Sequence, residues 1–72
     1  MTVVLGKAYC GMCDSEDSKV LIIRNGNIYS KCQRCGFVEW EWQKGDSFDY
    51  LKYLAERYGV PLEELLKAIE EG

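Results

Sequence analysis

A small metal-bound α+β domain, with three antiparallel strands followed by two helices packed on one face of the sheet, is predicted by three observations. Two Cys-x-x-Cys pairs, Cys10/Cys13 and Cys32/Cys35, stand eighteen residues apart. Between them, two β-branched runs flank Asn25-Gly26. Beyond them, two apolar stripes recur at helical spacing. At 72 residues the chain holds one domain, read as 1–72, with a metal-bound part over about 7–43 and a helical pair over about 46–71. Chains this short bury too little apolar surface for a comfortable margin and usually recruit a staple.

The cysteines are the candidate staple. Two Cys-x-x-Cys turns at this separation match four-cysteine zinc sites, in which each turn offers two thiolates and tetrahedral zinc takes both turns face to face. The predicted ligands of one zinc ion are therefore Cys10, Cys13, Cys32 and Cys35. Gly36 after the second pair, and Asp14 after the first, suit the left-handed backbone with which such turns close. Two alternatives stay open: redox dithiols or disulfides, which a reducing compartment disfavours, and an iron site of the rubredoxin kind, which four thiolates also suit.

Asn-Gly between apolar β-branched runs is the strongest short hairpin signal, because a type I′ turn needs positive φ at both central residues. A two-residue loop sets Arg24 opposite Asn27, Ile23 opposite Ile28, and Ile22 opposite Tyr29. By alternation, Leu21, Ile23 and Ile28 then share one face, while Val20, Ile22 and Tyr29, flanked by Arg24 and Lys31, share the other. The run from Phe37 to Trp42 reads as a third strand, with Val38, Trp40 and Trp42 on one side and Phe37, Glu39 and Glu41 on the other. Two tryptophans on one face call for a cover, which the carboxyl-terminal helices supply. Asp46 is read as the cap of the first helix, with Phe48, Leu51, Leu54, Ala55 and Tyr58 as its apolar stripe and Gly59 as its stop. Pro61 opens the second, whose stripe is Leu62, Leu65, Leu66 and Ile69. Two cysteine turns joined by such a sheet make a zinc ribbon.

The order of these parts resembles the zinc-binding domain of bacterial and phage primases. The shared features are a metal pair, a hairpin, the aromatic Tyr29 shortly before the second pair, and Gly45-Asp46-x-x-Asp49 opening an apolar helix. With four cysteines and no histidine, the chain is closer to the four-cysteine phage form. The resemblance implies a sheet that touches single-stranded template. It implies no primer synthesis, because no polymerase segment accompanies the module.

Charge narrows the function further. The chain carries −3 overall, with five bases and three acids over residues 1–38 and four bases and nine acids over 39–72. Nucleic-acid binding is mainly electrostatic, so any such surface must be a local patch. The predicted patch is the sheet face away from the helices: Tyr29 to stack on a base, Arg24 and Lys31 for phosphates, and Lys19 and Arg34 near the metal. Glu39 and Glu41 are expected on the same face, where cross-strand pairing would neutralise the cations.

Two other binding readings compete with this one. The acidic helical half, with Tyr50 and Tyr53, would suit docking on a basic replication or transcription protein. The spacing of Ala55, Gly59, Val60 and Leu65 also matches a helix-turn-helix, although Glu63, Glu64, Glu70 and Glu71 against Lys67 would repel phosphate. Catalysis lacks a histidine, a phosphate-cradling glycine loop and an open metal position, so the expectation is a non-enzyme. No signal peptide or membrane-length apolar run is visible, which reads as cytoplasmic and without a membrane partner; no small-molecule substrate is expected.

Overall fold

The computed structural model describes residues 2–71. Four strands, β1 (Thr2–Cys10), β2 (Ser15–Arg24), β3 (Asn27–Cys32) and β4 (Val38–Trp42), precede helices α1 (Phe48–Tyr58) and α2 (Leu62–Glu71). The strands form one antiparallel sheet in chain order. The predicted class holds, with one strand more than expected.

The hairpin has the predicted register, from Arg24 opposite Asn27 to Val20 opposite Lys31. Its turn places Asn25 at φ 53° and Gly26 at φ 79°, as a type I′ turn requires. Leu21, Ile23 and Ile28 are fully buried under the helices.

The added strand is β1. Its Thr-Val-Val-Leu start is β-branched and pairs residue for residue with β2, Thr2 to Arg24 through Leu5 to Leu21. Pairing is then interrupted between Leu5 and Ala8, where Gly6 stands at φ 72°. A Cβ on Gly6 would lie 2.7 Å from Val60 Cγ2 and 2.8 Å from the Tyr58 carbonyl oxygen. Only glycine lets the strand pass this close to the corner between the helices.

At the start of α1 the cap is Ser47 rather than Asp46: the Ser47 hydroxyl accepts from the Asp49 amide at 3.3 Å. Asp46 instead closes the preceding turn by accepting the Gln43 amide at 3.1 Å. Both residues are good capping types, and the turn after Trp42 decides which one reaches the helix. At the other end, the Gly59 amide bonds the Glu56 carbonyl and the Val60 amide bonds the Ala55 carbonyl, a Schellman ending with Gly59 left-handed. Leu51, Leu54 and Tyr58 of α1, with Leu65 and Ile69 of α2, complete the core. Phe48 departs from the predicted stripe, being half exposed at the first turn.

The third predicted strand is overturned in one respect, its faces. Val38, Glu39 and Trp40 keep a single register against Lys31, Ser30 and Tyr29, but Ile28 pairs with Trp42, so Glu41 is an extra residue. Such a β-bulge shifts the alternation by one. Trp42 turns into the core at 6 % exposure, its indole N–H donating to the Ser47 carbonyl at 3.0 Å, whereas Trp40 and Val38 face away from the helices at 49 % and 55 %. The tryptophans are therefore on opposite sides of the sheet.

Candidate metal centre and open sheet face

The candidate metal centre is built at one end of the sheet. β1 ends at Cys10 and β3 ends at Cys32, so each strand delivers the first cysteine of a pair and the following turn delivers the second. Both turns close through a left-handed residue at the same place, Asp14 at φ 52° and Gly36 at φ 78°. The second turn is tied by the Gly36 amide to the Cys32 carbonyl (2.8 Å) and the Cys32 amide to the Phe37 carbonyl (2.9 Å). The Gln33 amide, bonded to the Ser18 carbonyl at 2.7 Å, fastens that turn to β2.

All four sulfurs lie within 4.8 Å of one another, with Cys10 Sγ to Cys35 Sγ 3.8 Å and Cys13 Sγ to Cys32 Sγ 3.5 Å. A disulfide needs about 2.05 Å, and all four thiols are free. A tetrahedron with metal–sulfur bonds of about 2.3 Å has edges near 3.8 Å, so the four sulfurs are grouped closely enough to hold one metal ion. Their thiols supply all four positions of such an ion.

Neighbouring groups act in opposite directions on the two cysteines of the second pair. Burial opposes ionisation of Cys32, but the amide of Cys35, the hydroxyl of Ser18 and the amide of Arg34 outweigh it and bring the thiol down to about 5. For Cys35 the Phe37 amide favours the thiolate, but the sulfur of Cys32, burial, and the sulfurs of Cys13 and Cys10 push the thiol up to about 11. Cys13 Sγ also lies 2.9 Å from Ser15 Oγ, itself 2.8 Å from Ser18 Oγ, so two buried serines back the first turn.

The second candidate site is the sheet face away from the helices. Pairings place Val4, Ile22, Tyr29 and Trp40 in one row across all four strands. Beside the row, Lys31 stands between Val20 and Val38; on its other side, Arg24 stands between Thr2 and Asn27. Tyr29 and Trp40 meet edge to face, centroids 4.8 Å apart and planes at 87°.

The expected neutralising acids are elsewhere. Glu39 is opposite Ser30 on the helix side and pairs with Lys19 at 3.4 Å. Glu41 accepts the hydroxyls of Tyr50 (3.1 Å) and Tyr58 (3.4 Å) from α1. Of the predicted nucleic-acid residues, the structure therefore brings Arg24, Tyr29 and Lys31 together on the open face. Lys19 is buried on the opposite side with Glu39, which removes it from the patch, and Arg34 is exposed on the second cysteine turn. Sequence reasoning missed Val4 and Trp40 as members of the face. The β-branched start of the chain signals the first; nothing local signals the second, because Glu-Trp-Glu-Trp reads equally well with or without a bulge.

Among the described residues, no helix is long and apolar enough to cross a membrane. Compared with protein-family models, with curated proteins and with solved structures, the chain matches none.

Proposed function

We propose that this is a zinc-stapled, non-catalytic module that binds single-stranded nucleic acid through its open sheet face, as an accessory of replication or transcription. Zinc is favoured by a four-sulfur donor set with tetrahedral spacing and by the stapling this small core needs. The closed ligand set leaves no position for substrate on the metal, which makes the ion structural. The observation that carries the nucleic-acid reading is the charge pattern: Arg24 and Lys31 flank Tyr29 on a face from which Glu39 and Glu41 are turned away. Nucleic acid pairs such cations with phosphate and the aromatic ring with a base.

The test is titration of a labelled single-stranded oligonucleotide at several salt concentrations. Two phosphate contacts predict a log–log salt slope of about −1.4. The Arg24→Glu, Lys31→Glu double variant should lose binding while keeping its metal; undiminished binding by that variant would rule the face out.

A second reading has its own support. Phe48, Tyr50 and Tyr53 are exposed along α1, the last two with rings 5.5 Å apart, next to Asp46 and Asp49. Such a strip suits docking on a basic protein. Co-purification with a protein partner, lost in a Phe48→Ser, Tyr53→Ser variant and indifferent to Arg24 and Lys31, would favour it. A helix-turn-helix role for α2 has less behind it, since the exposed side of that helix carries Glu63, Glu64, Glu70 and Glu71.

A further inference from the structure

We infer that the open face takes unpaired bases, laid across the strands along the row Val4–Ile22–Tyr29–Trp40, and that Trp40 is the side chain on which a base stacks. This rests on the nucleic-acid reading above and narrows it from charge to chemistry: the ligand is an exposed base with its phosphates, not a backbone alone.

The first argument is the bulge. Without the bulge at Glu41, regular alternation would keep both tryptophans on one face of the sheet. With it, Trp42 is buried and Trp40 is left half exposed at the β4 end of the row, beside Tyr29. An indole in that position is a stacking surface waiting for a flat apolar partner. Tyr29 packs against it with the ring planes nearly perpendicular, a contact that favours one placement of the indole before any ligand arrives.

The second argument is the layout. Neighbouring strands are about 4.8 Å apart, so a row crossing four of them is about 14 Å long. Lys31 lies two residues along β3 from Tyr29, and Arg24 two residues along β2 from Ile22, on opposite sides of the row. A strand running along the row sets its bases on apolar side chains and its phosphates within reach of a cation on either flank. A duplex keeps its base faces stacked inside and offers this row only phosphates, which apolar side chains cannot match.

The third argument weighs against self-association through this face. Two copies stacked face to face would bring Arg24 and Lys31 of both together, with no carboxylate among the described residues paired in and beside the row to answer them. An anionic ligand with aromatic faces complements both the row and its flanks.

Trp40 reports on its own site. Trp42 is buried with its N–H already bonded, so a ligand that quenches tryptophan emission on contact reads Trp40. The metal-loaded full chain is titrated with a short oligothymidylate, with an abasic strand of equal length, and with the corresponding duplex. The expected results are quenching by oligothymidylate, and an affinity that falls about five- to a hundredfold in Trp40→Ala, the range for losing one base–aromatic stack. Trp40→Phe should recover part of that loss, and both variants should melt as the parent does. The abasic strand should bind weakly and equally to parent and Trp40→Ala, and the duplex should bind no better than the abasic strand.

An abasic strand binding as tightly as oligothymidylate, with Arg24→Glu, Lys31→Glu still abolishing both, would overturn the stacking inference and leave the nucleic-acid reading standing. Failure of the parent chain to bind any of the three would overturn both. A parent dimer that Trp40→Ala dissociates in sedimentation would also overturn the inference, by showing the row to be a self-interface.

Discussion

At the scale of single residues, the clearest constraint is on Gly6, which combines a left-handed backbone with contact to the corner between the helices. The closing glycine of α1, Gly59, shares the backbone conformation but has open space around it. Gly6→Ala should therefore cost the left-handed penalty of about 1–2 kcal/mol together with about 1–3 kcal/mol of overpacking, whereas Gly59→Ala should cost only the first. Urea unfolding of the metal-loaded variants measures the difference; equal losses would mean that the strand is free to move off the corner. A second residue-level effect follows from Tyr50. Burial, then the Glu41 carboxylate that its hydroxyl bonds, push this phenol up to about 12, above the value near 10 of an unfolded tyrosine. The folded state thus holds the proton where the unfolded state has lost it, so stability is complete below about pH 10 and declines as pH rises through the folded value. Chemical unfolding across that window should show the decline, and Tyr50→Phe should flatten part of it.

At the scale of elements, the decisive feature is the bulge in β4. One extra residue gives two neighbouring tryptophans opposite duties, and the same shift carries Glu41 to the tyrosines of α1. Trp42→Ala should cost about 3–5 kcal/mol, as for a buried aromatic, while Trp40→Ala should change stability little. Thermal unfolding of the two variants compares them directly, and a large loss for Trp40 would place that ring in the core. The hairpin was legible in the sequence because its register is imposed by a two-residue turn with its own chemistry. β1 was harder to read, since a short β-branched run with no turn of its own becomes a strand only when β2 offers it an edge. Ser47 took the cap from Asp46 for a similar reason: both side chains can cap, and the path of the chain after Trp42 chose between them.

At the scale of the whole molecule, the cysteine cluster and the helical pair stand at different parts of the sheet. The helices share a core with the strands, whereas the two cysteine turns meet at their four sulfurs. Metal binding by such sites is folding free energy, on the order of 10–16 kcal/mol in zinc-finger peptides. Removing the ion with a strong chelator should therefore unfold at least the first forty or so residues, seen as loss of strand signal in circular dichroism and recovered on adding one equivalent of zinc. An apo form with an unchanged spectrum would show the core to be sufficient without its staple. Acid should act in the same direction, because protons compete with the metal for thiolate.

The sequence by itself determined which four cysteines come together, the hairpin with its register, and the helical pair with most of its apolar stripes, because each is written in local chemistry: cysteine spacing, turn type and periodicity. It also determined that Arg24, Tyr29 and Lys31 share a face, since strand alternation within a hairpin of known register leaves no freedom. Only the tertiary structure decided which side of the sheet each tryptophan takes and where the acids beside them go. A single inserted residue inverts every side chain beyond it, and whether it is inserted depends on how Trp42, Glu41 and the tyrosines of α1 fit together across the chain, which no stretch of β4 alone contains.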